Sequence, residues 1–133
     1  PAEDARRYES LLRGLFRKHG SDETAPPSFD LILLGLGDDG HTASLFPGDE
    51  KSLDEKERWV IAVDAPNGKP PGTRLTLTLP VINEAKAVLF LIPSSRYELA
   101  RSISNGEKPE LPAGMVKPRS GDVWWFVEEA KWV

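Results

Sequence analysis

A nearly continuous apolar run that leads directly into a glycine-rich loop constrains this fold more than any other feature. The run covers residues 31–34, and the loop after it carries the carboxylates of Asp38 and Asp39 and the imidazole of His41. The run predicts a buried strand, whereas the glycines of the loop cost conformational entropy and add nothing to packing. In open α/β sheets ligands bind at the carboxyl ends of strands, where this loop would lie. The acid and the histidine therefore favour proton-transfer chemistry over a purely structural turn.

Two helices are predicted from the spacing of apolar residues and from capping signals. Apolar side chains recur at three- and four-residue spacing over positions 5–16, and Gly20 can end that first helix. Ser95 and Glu98 form a capping box, which predicts a second helix over 96–104 that ends at Asn105 and Gly106.

Five strands are predicted, at 29–34, 59–63, 74–79, 87–92 and 123–127. The stretch 74–79 alternates Leu and Thr, which is typical of a half-buried strand. The stretch 87–92 is apolar throughout and is predicted to lie inside the sheet. Strands that alternate with helices predict an α/β fold with a mostly parallel sheet, in a single domain over residues 1–133.

Composition and charge exclude several classes of protein. The net charge of −4 comes without a dense basic stripe, so nucleic acid is not an expected partner. No apolar run reaches the roughly 18 residues that a membrane-spanning helix needs, so no membrane is expected either. The chain has no cysteine, which excludes disulfides and thiolate metal sites and fits a reducing cytosol. We therefore expect a cytoplasmic location.

The loop also matches the dinucleotide-binding fingerprint G-x-G-x-x-G over residues 35–40. A pyrophosphate at this turn would face Asp38 and Asp39, and like charges oppose binding. The fingerprint also needs a long helix after it, whereas Pro47 would stop the short helix that we predict at Thr42 after about one turn. Dinucleotide binding is therefore disfavoured.

Three blocks of the sequence resemble those of 6-phosphogluconolactonases. They are Gly35-x-Gly37-x-Asp39-Gly40-His41-Thr42-Ala43-Ser44-Leu45-Phe46-Pro47, then Pro70-Pro71-x-x-Arg74-Leu75-Thr76-Leu77-Thr78-Leu79-Pro80-x-Ile82-Asn83, and Leu111-Pro112-Ala113 followed by Trp125-Phe126-Val127-x-Glu129-Ala130. The resemblance implies a Rossmann-like doubly wound sheet flanked by helices, with the amino-terminal part of the family fold missing. Family members carry first strands and a Gly-Gly-Ser-type phosphate loop ahead of the helix that opens this chain. We therefore expect a fragment or a processed product.

The resemblance implies the hydrolysis of 6-phospho-D-glucono-1,5-lactone to 6-phosphogluconate, without a metal or another cofactor. His41 corresponds to the proposed general base, which activates the water that attacks the lactone carbonyl. Asp39 would orient the ring and stabilise the imidazolium, and it can also form an Asx-turn within the loop.

The loop glycines and the residue after His41 are predicted to bind the substrate. With no Cβ, Gly35, Gly37 and Gly40 let backbone N–H groups approach it closely. The N-terminus of the short helix predicted at Thr42 would add a positive partial charge, which suits an oxyanion on the lactone carbonyl.

Two arginines are candidates for the substrate phosphate. Arg74 belongs to the second block and is either a phosphate ligand or a strand-edge residue in a surface ion pair. Arg96 stands near the place where the family has Gly-x-x-Lys, but the glycine is gone and the register differs by about one residue. A predicted helix N-terminus at Arg96 would still favour an anion.

Two alternatives to a lactonase stay open. A glucosamine-6-phosphate deaminase or isomerase has a similar loop, but that group resembles His-Ile-Ala-Phe-Asn-Glu, whereas this chain reads His-Thr-Ala-Ser-Leu-Phe over 41–46. An inactive sugar-phosphate-binding fragment is the other alternative. A sheet without its first strands would expose an apolar strand edge, so we expect self-association or dye binding there.

Overall fold

The computed structural model of the protein describes residues 1–20, 22 and 24–129. In this part of the chain four α-helices, two short 3-10 helices and five strands follow one another. They are α1 (Ala2–Lys18), β1 (Ile32–Leu34), α2 (Glu50–Leu53), β2 (Val60–Ala65), β3 (Gly72–Leu77), α3 (Leu79–Ile82), β4 (Ala87–Ile92), a 3-10 helix (Ser94–Arg96), α4 (Tyr97–Ser104), a 3-10 helix (Pro112–Met115) and β5 (Asp122–Val127). Ala130, the last residue of the third sequence block, lies outside the described residues.

The first helix is confirmed. It buries Ala5, Glu9 and Leu12 against the rest of the chain, and Gly20 follows its end at a φ of +81°. The aromatic ring of Phe16 packs edge-on against Phe29 with the ring centroids 5.0 Å apart. Helix α1 therefore anchors to the segment that leads into β1.

A parallel sheet of three strands in the order β1-β4-β5 organises the described chain. The apolar strand β4 lies in the middle, which confirms its predicted interior position. One face of this sheet carries the larger of two clusters of buried apolar residues, in which Val88 and Phe90 are fully buried. Trp125 of β5 stacks on Phe90 at 4.1 Å, whereas its neighbour Trp124 points to the other face and is exposed.

The opposite face of this sheet is apolar and open to solvent. Its exposed members, which we call the bare face, are Leu33, Leu91, Trp124 and Phe126, each between 52% and 56% exposed. They lie on three adjacent strands, because β1 pairs with β4 and β4 pairs with β5. Parallel sheets are usually covered on both faces. One face of β1 is thus exposed at Leu33, and the doubly wound arrangement has only one of its faces covered by the described residues.

Strands β2 and β3 form a separate antiparallel pair with Val60 opposite Leu77. Three strand predictions need correction in their bounds. The first strand starts at Ile32 rather than at 29, the second extends to Ala65, and the third runs over Gly72–Leu77 rather than 74–79. Arg74 consequently lies inside β3 rather than at its first position.

The capping box predicted at Ser95 and Glu98 is wrong. A 3-10 helix over Ser94–Arg96 precedes α4, and no side chain caps the start of α4 at Arg96. The Arg96 amide donates to the Pro93 carbonyl at 2.9 Å, so Ser95 lies within a 3-10 turn and not at the N-cap position where its hydroxyl could serve the start of α4. The predicted end is confirmed, since Gly106 follows Asn105 at a φ of +77°.

Asn83, which follows α3, fixes the long segment ahead of β5. Its side-chain amide donates to the carbonyl of Met115 at 3.1 Å, and its side-chain oxygen accepts the amide of Lys117 at 2.8 Å. The 3-10 helix over Pro112–Met115 is thereby held beside the glycine-rich loop. Among the described helices, none combines the length and the apolar character needed to cross a membrane.

Candidate active site

The loop that follows β1 forms one wall of a cavity of about 690 Å³. The cavity lies at the carboxyl end of a parallel strand, where α/β sheets bind their ligands. Side chains and backbone from the loop, from β3, from the turn between β2 and β3, and from the start of α4 line it together. The polar and charged lining residues are Asp38, Asp39, His41, Thr42, Ser44, Asn67, Lys69, Arg74, Thr76 and Arg96.

Asp39 and His41 form a direct pair. The Nδ1 atom of His41 lies 2.5 Å from Oδ1 of Asp39, and the same carboxylate oxygen accepts the backbone amide of His41 at 2.9 Å. Asp39 thus makes the Asx-type turn and holds the imidazole at the same time. Since Nδ1 faces the carboxylate, Nε2 is the ring nitrogen that can accept a proton.

The charge state of Asp39 follows from opposing influences. Partial burial acts to raise its pKa, but the hydrogen bonds from the His41 amide and imidazole outweigh burial, so the pKa lies below the usual value for aspartate. The carboxylate is therefore ionised at neutral pH. Its negative charge lies directly beside Nδ1 of the His41 ring.

Gly37 is required by the position of the His41 ring. A Cβ built at Gly37 would lie 2.1 Å from Nδ1 of His41, and one at Gly40, where φ is +85°, would lie 2.7 Å from the side chain of Leu111. At Gly35 a Cβ would meet no atom within 4 Å. Gly37 therefore makes room for the His41 ring, and Gly40 makes room for the side chain of Leu111.

Several loop amides are already used within the loop. The Gly37 amide donates to the His41 carbonyl at 2.9 Å, and the Gly40 amide donates to the Gly37 carbonyl at 3.1 Å. The His41 amide is held by Asp39. None of these three amides has its N–H directed to an incoming oxyanion, so such a donor has to come from elsewhere in the site. Gly35 and Gly37 line the cavity with their backbone.

The short helix predicted at Thr42 does not form. Residues 42–45 make a tight turn instead, with the Leu45 amide donating to the Thr42 carbonyl at 2.9 Å. Ala43 has a φ of +50°, a left-handed conformation that interrupts a right-handed helix. The helix-terminus charge expected at Thr42 is therefore absent from this turn. The Thr42 hydroxyl is buried and donates to the Gly35 carbonyl at 2.8 Å, which closes the base of the loop.

Phe46 completes the surroundings of His41. Its ring packs against the imidazole with a centroid distance of 4.7 Å and an angle of 38° between the planes. The ring of His41 is thus fixed by Asp39 on one side and supported by an aromatic side chain on another.

Arg74 is held at the cavity wall by the turn between β2 and β3. Its Nη2 donates to the Pro70 carbonyl at 2.5 Å, and a Cβ at Gly68 would lie 2.8 Å from the same nitrogen. Within the described ranges Arg74 forms no ion pair. The surface-ion-pair alternative for Arg74 therefore has no support here, and the guanidinium lines the cavity.

Arg96 brings a second guanidinium to the same cavity. Its Nε is buried and has no hydrogen-bond partner among the described atoms, and its Nη1 lies 3.5 Å from the Ser95 hydroxyl. A buried donor of this kind costs free energy until a ligand or water accepts from it.

Lys69 is a third cation of the cavity wall that the sequence analysis did not single out. Its position depends on the pairing of β2 with β3, which brings the turn at 67–69 to the loop. The neighbouring Pro70 and Arg74 of the second sequence block were the available signal. In the part of the chain that the structure describes, no group of three or more His, Cys, Asp or Glu side chains could hold a metal ion.

The comparisons with known proteins agree on one family. Residues 1–125 match the family described as glucosamine-6-phosphate isomerases/6-phosphogluconolactonase. The 6-phosphogluconolactonase of Rattus norvegicus is 44% identical over an alignment of 132 positions, and the alignment covers 98% of this chain and 49% of the rat protein. The 6-phosphogluconolactonase of Homo sapiens is 42% identical over an alignment of 134 positions, which covers 98% of this chain and 49% of the human protein.

A solved structure shows the same arrangement. The crystal structure of 6-phosphogluconolactonase from Thermotoga maritima superposes with a TM-score of 0.72 at 32% identity, covering 96% of this chain and 52% of that chain. The chain therefore spans about half the length of the curated relatives that it matches.

Proposed function

Since the chain belongs to the glucosamine-6-phosphate isomerase/6-phosphogluconolactonase family, we propose that it carries the catalytic loop of a 6-phosphogluconolactonase. The reaction is the hydrolysis of 6-phospho-D-glucono-1,5-lactone to 6-phosphogluconate, in the oxidative pentose phosphate pathway. One observation supports this most strongly. The Asp39–His41 pair lines the same cavity as Lys69, Arg74 and Arg96, so a base and a cluster of cations face one small space.

His41 acts as the general base in the proposed mechanism. Its Nε2 takes a proton from a water molecule, and the water oxygen forms a bond to the lactone carbonyl carbon. The bond between that carbon and the ring oxygen then breaks, and the imidazolium returns its proton to the departing ring oxygen. Asp39 keeps the ring in place and stabilises its charged form during the cycle. The products are a carboxylic acid, which ionises, and a hydroxyl group on the same sugar chain.

The cations hold the phosphate of the substrate. Arg74 offers a planar fork of donors that matches a phosphate, and Pro70 already fixes its orientation. The unpartnered Nε of Arg96 gains an acceptor when the phosphate binds. We add Lys69 as a further phosphate ligand, and Gly35, Gly37 and Thr42 as the wall against which the sugar lies.

Phe46 favours a lactonase over a glucosamine-6-phosphate deaminase or isomerase. In the motif of that group a glutamate stands at the position that Phe46 occupies here, and it supplies an extra carboxylate for ring opening. In this chain the side chain is apolar and packs on the His41 ring at 4.7 Å. The extra carboxylate is therefore replaced by a group that cannot transfer a proton.

The test uses a chimera, called the rat chimera below, in which residues 1–133 replace the matched half of rat 6-phosphogluconolactonase. We expect the rat chimera to hydrolyse 6-phosphogluconolactone well above the spontaneous rate and to leave glucosamine 6-phosphate unchanged. Residues 1–133 alone should show little or no activity, because the relatives are about twice as long. A rat chimera that acts on glucosamine 6-phosphate, or on neither substrate, would refute the proposal. We also propose a cytoplasmic location, in keeping with the absence of cysteine.

A further inference from the structure

Thr76 of β3 and Thr78, which follows the strand, point inward where an alternating Leu and Thr pattern would be expected to bury its leucines. Thr76 and Thr78 are both buried, whereas Leu75 is exposed. A buried hydroxyl costs free energy unless it is hydrogen-bonded, and an apolar side chain would fill the same space without that requirement. Both hydroxyls have partners, and the partner of Thr76 belongs to the glycine-rich loop. The Thr78 hydroxyl bonds to Arg58, which lies outside the loop. The bond to the loop therefore indicates that Thr76, unlike Thr78, serves the site.

The Thr76 hydroxyl connects the second sheet to the loop. Its Oγ1 accepts the amide of Ser44 at 3.1 Å and donates to the carbonyl of Leu77 at 3.0 Å. The donation to Leu77 uses the hydroxyl hydrogen, so a lone pair remains aimed at the Ser44 amide. The hydroxyl hydrogen is therefore bonded to the Leu77 carbonyl, and the hydroxyl oxygen accepts the Ser44 amide.

Ser44 lies in the turn that needs such support. Its neighbour Ala43 has a φ of +50°, a conformation that costs free energy for a residue with a Cβ. Such a conformation persists only where surrounding contacts enforce it. The Ser44–Thr76 bond fixes the centre of the turn from outside, while the Leu45 amide closes it from within.

The 42–45 turn begins directly after His41 and leads into Phe46, whose ring lies against the imidazole. Given the lactonase function proposed above, on which the role rests, we propose that Thr76 is a positioning residue for His41. Its hydroxyl holds the 42–45 turn, and the turn holds the imidazole at the orientation in which Nε2 faces the substrate. Small displacements of a catalytic group lower the rate strongly, so the loss of this hydroxyl should act on kcat.

Thr76→Val and Thr78→Val form a matched pair of variants. Each substitution removes one buried hydroxyl from the same strand region and keeps the side-chain size. Thr78 donates to the Arg58 carbonyl at 2.7 Å, away from the loop, so its loss should affect stability alone. Thr76→Cys, which keeps the size and weakens the acceptor, is measured beside them so that the result does not depend on the folding of a single variant.

In the rat chimera we expect Thr76→Val to lower kcat by about tenfold or more while KM for 6-phosphogluconolactone changes by less than about threefold. Thr76→Ser should keep kcat within about threefold of the parent, because it retains the hydroxyl. Thr78→Val should leave kcat within about twofold. Equal losses in Thr76→Val and Thr78→Val, or no loss in either, would overturn the positioning role.

A second measurement uses the 133-residue chain itself and needs no activity. By NMR, Thr76→Val should speed hydrogen exchange of the Ser44 amide by about tenfold or more and shift the ring resonances of His41, and Thr78→Val should do neither. Unchanged Ser44 exchange and unchanged ring resonances in Thr76→Val would overturn the inference. An inactive parent chimera would refute the proposed function instead, and the NMR result would still decide the role of Thr76.

Discussion

Two carboxylates in this chain have their pKa lowered by the same kind of contact, and we expect them to serve different purposes. Glu9 and Asp39 are both partly withdrawn from water, which acts to raise their pKa, and for both the hydrogen bonds they accept outweigh burial and lower the pKa. The side chain of Glu9 is only 8% exposed, whereas that of Asp39 is 48% exposed. The two carboxylates also differ in the number and kind of hydrogen-bond donors around them.

The donors around Glu9 are two guanidinium groups and two backbone amides. Its carboxylate accepts from Arg13 and Arg58, and from the amides of Trp59 and Val60 at 3.0 and 3.2 Å. These bonds join α1 to the start of β2. Among the described residues, Asp39 instead has a single side-chain partner, the imidazole of His41. A carboxylate that accepts hydrogen bonds from several elements holds those elements together, whereas we propose that the carboxylate paired with an imidazole at the cavity wall takes part in chemistry.

The largest expected effect is at His41. In the rat chimera, His41→Ala should lower kcat by about 10²–10⁴-fold, the usual contribution of a positioned general base. Steady-state assays with 6-phosphogluconolactone, corrected for spontaneous hydrolysis, measure it. His19→Ala is the matched control, because His19 is an exposed residue at the end of α1 and should have no effect. A His41→Ala variant within a few-fold of the parent would remove His41 from the mechanism.

Glu9 should matter for stability instead. Removing one member of a buried ion pair commonly costs about 3–5 kcal/mol. We expect Glu9→Gln to lower the free energy of unfolding of the rat chimera by about 3 kcal/mol, the low end, because Arg13 and Arg58 are each about one-third exposed and can regain water. Urea titration measures this, with Glu98→Gln as control, since the exposed pair of Glu98 with Arg101 should contribute little. Equal effects of the two substitutions would refute the structural role.

The same carboxylate should impose a pH dependence on stability. Because the pKa of Glu9 in the folded chain lies below the ordinary value of 4.5, its stabilisation is fully present above that value and is lost as the pH falls through the folded pKa. The difference in unfolding free energy between the parent and Glu9→Gln should therefore shrink as the pH is lowered from about 5.5 towards 3. A difference that stays constant over this window would contradict the assignment.

Arg74 should act on substrate binding rather than on the chemical step. Arg74→Ala should raise KM for 6-phosphogluconolactone by about 10- to 100-fold, the loss expected for a charge-assisted hydrogen bond, and change KM for unphosphorylated glucono-δ-lactone far less. Arg101→Ala, on the exposed side of α4, serves as the control. Similar losses on both lactones would mean that Arg74 stabilises the turn at Pro70 and does not contact the phosphate.

The bare face should give the smallest effect, and only in the isolated chain. An exposed apolar sheet face promotes association and dye binding, so residues 1–133 should either self-associate or bind a hydrophobic dye more than the rat chimera does. Leu91→Lys, in the middle of the bare face, should reduce both signals, whereas Leu11→Lys on the exposed side of α1 should not. A monomeric, dye-negative chain would show that this face needs no cover.

Sequence reasoning found Asp39 and His41 because their contacts are local. The pair is two residues apart, and Gly37 and Phe46, which shape its surroundings, lie in the same loop. The central position of β4 was equally predictable, since its continuous apolar run is typical of an interior strand, and β4 pairs with β1 on one edge and with β5 on the other. Local patterns therefore predicted the Asp39–His41 pairing and the centre of the sheet.

Features that depend on contacts between distant parts of the chain could not be predicted from local sequence patterns. Glu9 meets Arg58, Trp59 and Val60 across 49 to 51 residues of sequence. The Leu and Thr alternation of β3 predicted two faces, but only the packing against the loop decides that Thr76 faces inward.

The short helix at Thr42 was predicted from a motif, and the left-handed Ala43 prevents it. The capping box failed because a 3-10 helix over Ser94–Arg96 precedes α4, so Ser95 is not its N-cap residue.

The comparison of the two carboxylates is tested most directly by measuring kcat and urea unfolding for Asp39→Asn and Glu9→Gln in the same rat chimera. We expect Asp39→Asn to lower kcat by at least about tenfold, because the imidazolium loses its charged partner, and to change the free energy of unfolding by no more than about 1 kcal/mol. Glu9→Gln should do the reverse, with kcat within about threefold of the parent. If Asp39→Asn leaves kcat unchanged, or if it destabilises the protein as much as Glu9→Gln does, Asp39 is a structural carboxylate and the proposed Asp39–His41 chemistry is wrong.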